Sequence, residues 1–268
     1  PIYPNSTNKS VFNISRLIEN FVTLDWDIND TSASGCPNSY IPYKVNFGYE
    51  YSTGTTSPII EVSGATNVTG LTAYNMALNP IDFVGFDEND YLMTSSASKF
   101  LTSIRSRTIY SDQKCWLYFW RGDAGSVEIK SYPAATTQII LLTGITDSVV
   151  RVPIIPVSAS TYVEVKTKGT GGDKSETYTI YYKDECSKYT DNDVYFLNRY
   201  GAIESFRFNR VRKDNYTIQR KQYQKTPYQL SGSSYNFDTS SQSKSNYYTE
   251  SVQKITLNSN WITQEESE

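Results

Sequence analysis

The side chains in this sequence best placed to do chemistry are carboxylates, and they cluster once. Asp82, Asp87, Glu88 and Asp90 fall within residues 80–91, a segment broken by Pro80 and Gly85. Carboxylates so placed could bind calcium through oxygen, or act as an acid pair on a glycosidic bond. Their spacing fits no calcium loop, and a solvated acidic turn explains it better. Asp191-Asn-Asp193 reads as a turn ahead of a strand. Gly169-Thr-Gly-Gly-Asp-Lys-Ser175 has the glycines of a phosphate-binding loop. That loop needs Gly directly before Lys, where Asp173 stands, and here it leads into a strand rather than a helix. A hairpin loop is the expectation.

The chain of 268 residues has 0 histidines. That removes Ser-His-Asp and Cys-His catalysis, histidine metal sites and the usual proton shuttle near neutral pH. The cysteines, Cys36, Cys115 and Cys186, are odd in number, far apart and without CxxC spacing. This speaks against a disulfide framework and a zinc site, and for reduced thiols in a chain that folds in a cytosol. The reading is a protein that is not an enzyme, with no cofactor and no metal.

Two further groups of residues point to binding. Arg199, Arg207, Arg210, Arg212, Lys213, Arg220, Lys221 and Lys225 form a basic stretch with Tyr216 and Tyr223 interleaved. Such a stretch is a solvated face, a contact to an acidic neighbouring subunit, or a non-specific contact to DNA phosphates. Glu204 and Asp214 dilute it. Trp116, Tyr118 and Trp120 alternate with Leu117 and Phe119. A lectin would stack sugars on that aromatic face, whereas a sandwich core or a subunit interface would bury it.

The elements that position these residues are strands. Tyr is the commonest aromatic, 23 residues against 11 Phe and 4 Trp, in a chain of mean hydropathy -0.50 and net charge -3. Tyrosine suits half-buried sheet faces and interfaces. Residues 40–51 alternate cleanly, with Tyr43, Val45, Phe47 and Tyr49 on one side. Strands are expected at 59–62 and 68–74, separated by Gly64 and Gly70, and at 113–120, 126–132, 138–142, 148–155, 162–168 and 176–182. Residues 15–21 read as a short helical turn capped by Ser15, with Leu17, Ile18 and Phe21 inward. Residues 193–208 read as strand, turn, strand, with Gly201 supplying the positive φ of the reversal. Weaker strands follow at 216–223, 228–230, 247–248 and 252–257, around a Ser/Gln/Asn-rich stretch at 231–245.

The fold class expected is mainly β. A β-sandwich region covers 1–185, as one sandwich or as two small ones with a break near 111. A hairpin-rich unit with an extended polar arm covers 186–268. Thr263 and Glu266 form a capping box just before the sequence stops, so the chain is expected to be a fragment lacking its next element. There is no signal-peptide pattern and no apolar run of bilayer length, and no membrane partner is expected.

Three segments resemble virion structural proteins of tailed phages that infect Bacteroidota, the crAss-like group in particular. Phe12-Asn-Ile-Ser-Arg-Leu-Ile-Glu-Asn-Phe-Val22 is similar to their opening segment. The run from Val194 to Phe208, with its Leu-Asn-Arg-x-Gly core, resembles their recurring hairpin. Leu257-Asn-Ser-Asn-Trp261 is similar to their later strand. The resemblance implies a structural component of the virion, assembled in the host bacterial cytoplasm. It would form a homo-oligomeric ring in the neck or tail, beside other neck and tail proteins and around the DNA channel. Contacts between subunits are then expected from Tyr195, Phe196, Asn198, Tyr200, Phe206 and Phe208, with Arg207, Arg210 and Arg212. The alternative is a carbohydrate-binding β-sandwich module of a tail or surface protein. A carboxylate glycosidase using the 82–90 cluster comes third.

Overall fold

The structure, a computed structural model, describes residues 13–52, 59–79, 81–82, 84–157, 159–184, 187–226, 228–237, 244–259 and 261–262. Side chains of 49–52, 59–65, 229, 230 and 237 lie outside that description. The chain is mainly β. Its strands are β1 (Ser34–Gly35), β2 (Tyr40–Ser52), β3 (Ile59–Tyr74), β4 (Ser106–Tyr110), β5 (Cys115–Trp120) and β6 (Ala124–Tyr132). There follow β7 (Thr136–Leu141), β8 (Val149–Ile154), β9 (Tyr162–Gly169), β10 (Gly172–Asp173), β11 (Tyr178–Lys183) and β12 (Asn192–Leu197). The last are β13 (Ile203–Phe208), β14 (Lys213–Gln224), β15 (Tyr228–Ser231), β16 (Ser234–Phe237) and β17 (Lys244–Thr256).

The chain divides into two units. The first is Pro1–Glu185 with Asp193–Arg207 and Ile262–Glu268; the second is Cys186–Asn192 with Phe208–Trp261. The hairpin expected to open the second unit thus belongs to the first through nearly all its length. Residue 111 marks no break, because Ile109 of β4 and Cys115, Leu117 and Phe119 of β5 enter one core.

That core lies between two sheets. One has the order β1-β8-β5; the other has the order β4-β11-β9-β6-β7, with β10 paired to β9. All pairs are antiparallel except β4 and β11, which run parallel from Ser106↔Thr179 to Tyr110↔Lys183. The first sheet contributes Leu117, Phe119, Val150 and Val152, and the second Val127, Ile129, Val163, Val165 and Ile180. Alternation is what makes the sandwich: each strand turns every second side chain inward.

The three-stranded sheet is covered on both faces. Every residue of β5 and β8 is buried. Behind it, Trp116, Tyr118 and Trp120 join a second cluster with Cys36, Leu101, Val149, Ala202 and Ile203. Leu24, Trp26, Tyr40, Tyr74, Tyr91, Tyr195 and Tyr200 close that cluster from outside. The first unit is therefore three layers deep at β5.

Several local expectations are corrected. The helical turn exists as Ser15–Ile18, but its N-cap is Ile14, and the Asn13 side chain accepts from the Ser15 N–H. Leu17 and Phe21 are exposed rather than inward. The two short strands expected around Gly64 and Gly70 are one, β3, paired along its length with β2. Register shifts between Tyr43 and Val45 and between Phe47 and Tyr49 place the extra residues on β3, beside those glycines. The polar stretch 231–245 contributes the last residue of β15, the turn, β16 and the start of β17, while 238–243 and the capping box at 263–266 lie outside the described residues.

Candidate functional site

Asn198 organises the 193–208 hairpin. Its own N–H donates to the Ala202 carbonyl, its Oδ1 accepts from the N–H groups of Tyr200 (2.9 Å) and Ala202 (3.0 Å), and its carbonyl accepts from Gly201. Its Nδ2 donates to the Leu101 carbonyl at 3.0 Å and to Glu204 Oε1 at 2.6 Å. Leu-Asn-Arg-x-Gly is thus a turn whose Asn fills both the turn and a socket in the body.

Below it, β13 is attached through polar groups. Glu204 accepts from the Ser103 N–H at 2.8 Å; Gln113 Nε2 donates to Ser205 Oγ at 2.9 Å, which donates to the Lys114 carbonyl. Arg107 donates to the Ser205 carbonyl. Arg207 makes a two-pronged pair with Asp193, at 2.7 and 2.8 Å, reaches Asp112, and lies over the Tyr110 ring. The hydrogen bonds to Asp193 raise the Arg207 pKa above its ordinary value, against the opposing pull of burial.

The residues expected at subunit contacts therefore divide. Asn198 and Arg207 are buried, and their bonds stay within the chain; Tyr195, Tyr200, Phe206 and Phe208 are half-buried. Phe196, Arg210 and Arg212 are exposed, the last paired with Asp214 and donating to Asn192. The basic stretch is not one face. Arg199 pairs with Asp82 at 3.2 Å and covers Tyr200, while Arg220, Lys221 and Lys225 are exposed beyond Arg212.

The aromatic face of β5 is a core face. Trp116, Tyr118 and Trp120 are only 3%, 1% and 4% exposed, so they present nothing to a sugar. Tyr74 stacks on Trp120 at 4.4 Å, and Trp26 meets Trp116 edge-on at 6.0 Å. One feature of this layer left no signal in the sequence. Arg151, directly opposite Tyr118, is buried there and donates to the Asp25 carbonyl, Ser34 Oγ and Asp30. Burial pushes the Asp30 carboxyl up, but hydrogen bonds from Ser32, Ser34 and Arg151 outweigh it and hold the group below the usual carboxylate value. Burial pushes the Cys36 thiol up to about 12 and raises that of Cys115. Cys186 lies outside the described residues.

The carboxylates at 82–90 do not converge on a reaction centre. Asp82 holds Arg199 and the Asn79 N–H, Asp87 accepts from Asn89, and Asp90 pairs with Lys99 at 2.8 Å. A cleft of about 270 Å³ beside them is lined by Leu78, Ile81, Asp82, Phe86, Tyr91 and Arg199, among others. Among the described residues no three His, Cys, Asp or Glu side chains are grouped to hold a metal. The 169–175 segment is the expected hairpin: β10 pairs with β9, and Asp173 takes Lys166 and Lys168. Those two lysines lower the Asp173 pKa to about 2.

What the structure leaves unsatisfied is surface. Among the described residues, β2–β3 and β14–β17 are two-stranded ribbons that pair with no other strand. A lone ribbon of this kind is marginal in water and needs something to pack on. The first is anchored at its base by Tyr40 and Tyr74. The second is exposed on both faces: Tyr216, Ile218, Tyr223, Tyr247, Tyr248, Val252 and Ile255 are each between 46% and 64% exposed. β7, an edge strand without a charge, leaves Ile139 and Leu141 open to solvent. Tyr132, Tyr162 and Tyr181 form a ring-to-ring row across the outer face of the larger sheet. No described helix is long and apolar enough to cross a membrane. The chain matches no protein-family model, and no curated protein matches it.

Proposed function

We propose that this chain is a structural assembly subunit, and that it builds an oligomeric ring in the neck or tail of a tailed-phage virion. The second ribbon carries the reading. Seven large apolar or aromatic side chains stand exposed on it, on both faces. Surface of that kind marks an interface. The open, uncharged edge of β7 adds to it, since natural sheets protect such edges with charge, Pro or a partner. The resemblance of the 194–208 hairpin and its flanking segments to phage virion proteins suggests the ring and its location.

The subunit's role is mechanical. The three-layered first unit is a rigid block, and the second ribbon is an arm whose apolar faces would be buried on neighbours. Closed cyclic symmetry would satisfy every arm with an equivalent surface. Other neck and tail proteins would take the remaining surfaces. Native mass spectrometry with electron-microscopy class averages of the purified chain tests this. Closed rings of a fixed copy number are expected; a monomer at every concentration would overturn it.

A further inference from the structure

We propose that one face of the second ribbon docks onto the exposed Ile81, Val84, Asp87 and Glu88 of another copy of this chain. This rests on the assembly reading and names its partner. In the β14–β17 register, Lys213, Lys221 and Tyr223 point to one side, and Lys254, Val252 and Tyr248 point to the same side. Glu250 is the single acidic group on that face. Val252, Tyr248 and Tyr223 are 56%, 46% and 50% exposed. The face is an apolar strip set among lysines.

The loop offers the complement. Ile81 and Val84 are 78% and 82% exposed, close to free for apolar side chains. Asp87 and Glu88 beside them are exposed and have no ion-pair partner among the described residues, whereas Asp82 and Asp90 are answered by Arg199 and Lys99. Apolar side chains beside carboxylates therefore match apolar side chains beside lysines.

Two other arrangements fit less well. Pairing the ribbon face with itself across a two-fold axis would oppose lysine to lysine. Placing the ribbon in a DNA groove would satisfy the lysines but would set Val252 and Glu250 against phosphate-lined walls. Because ribbon and loop are different surfaces, their contact is heterologous. It propagates from copy to copy and closes as a ring or runs on as a filament.

The test uses two variants of the full chain. Lys221→Glu with Lys254→Glu reverses the ribbon face. Asp87→Asn with Glu88→Lys reverses the loop, and Asn keeps a side-chain acceptor for the Asn89 N–H. Each is checked for native circular dichroism, then studied by sedimentation and native mass spectrometry. Each alone is expected to associate about a hundredfold more weakly than wild type. An equimolar mixture is expected to recover association, because the reversed ribbon of one meets the reversed loop of the other while their unaltered surfaces still match. Isotopic labelling of one variant shows the alternation. Wild-type oligomers that both variants reproduce alone, or a mixture that stays dissociated, would overturn the docking and leave the assembly reading standing. Retardation of a random-sequence duplex that is lost in the ribbon variant, with its oligomeric state unchanged, would also overturn it. A wild-type chain that is monomeric throughout would remove both.

Discussion

Replacing Gly201 with Ala tests how the hairpin is seated. Gly201 has φ of +79°, in the left-handed region, and a Cβ built there would lie 1.9 Å from the Asn75 carbonyl oxygen and 2.9 Å from its carbon. A side chain at positive φ costs roughly 1–2 kcal/mol by itself. The hairpin cannot relieve it by changing φ, because Asn198 holds the N–H groups on both sides of Gly201. Relief must come from the Asn75 backbone, which would retreat by about 1 Å. That movement pulls on two bonds, Asn75 N–H to the Ser39 carbonyl and Ala77 N–H to the Arg199 carbonyl. At about 0.5–1.5 kcal/mol each, their loss brings the total to ~2–5 kcal/mol.

Gly144 provides the control within the same unit. Its φ is +83° and nothing lies within 4 Å of its added Cβ. Gly144→Ala should therefore show the backbone term alone, about 1–2 kcal/mol. Urea unfolding followed by tryptophan fluorescence measures both, since Trp116 and Trp120 are in the affected core. A Gly201→Ala protein within about 1 kcal/mol of wild type, or no less stable than Gly144→Ala, would refute the close approach.

Three other perturbations follow from the same structure. Arg207→Ala removes the two-pronged partner of the partly buried Asp193 and should destabilise the first unit by about 1–3 kcal/mol, the contact to the exposed Asp112 adding little. Arg207→Lys should restore only part, because a lysine cannot make the two-pronged contact; equal stability of Lys and Arg variants would contradict this. Asp30 and Asp173 both have pKa values below those of an unfolded chain, so the folded state binds fewer protons there. Stability should be full above about pH 4 and fall as the pH drops toward about 2, with a shallower fall in Asp173→Asn. A melting temperature that rises over that interval would contradict it. Cys36 and Cys115 are buried with raised pKa values, so both should resist a thiol reagent at neutral pH until the chain is unfolded. Mass mapping of labelled peptides reads each site, and rapid native labelling of either would contradict it.

The sandwich was legible because period-two patterns are local. Leu117 and Phe119 opposite Trp116, Tyr118 and Trp120 separate two faces of β5 by inspection. That both faces are interior was not legible, because an aromatic face reads alike in a core, an interface or a sugar platform. Only the covering residues decide, and Trp26, Tyr74 and the Tyr195–Tyr200 hairpin come from three distant places in the sequence. Gly64 and Gly70 misled for the opposite reason: glycine ends strands in most contexts, but a ribbon can absorb extra residues as bulges without losing its pairing. Leu17 and Phe21 have helical spacing, yet a four-residue helix has too little surface to impose burial. The hairpin itself was legible through Gly201, whereas its place was not. Its inward residues on β13 include Ser205 and Arg207, which alternation alone assigns to solvent.

This polar seating bears on the assembly reading. An apolar strip can slide along another by a residue pair at little cost, since hydrophobic contact is not directional. The hairpin cannot: a shift of two residues would part Ser205 from Gln113, Glu204 from the Ser103 N–H, and Arg207 from Asp193 and Asp112 together. Each group would be left buried without its partner, at about 1–3 kcal/mol apiece. The hairpin is thereby fixed in one register against the sandwich, although much of its outward face, including Phe196, is open. A block whose parts have one geometry can transmit a defined angle from neighbour to neighbour. Among the described residues the exposed ribbon is held by its cross-strand pairing, and in the proposed assembly its two faces could adapt to a neighbour. If the proposed ring forms, precision in the first unit and adaptability in the ribbon would be the division of labour it needs, because small angular errors accumulate around a ring and only a compliant arm can take them up.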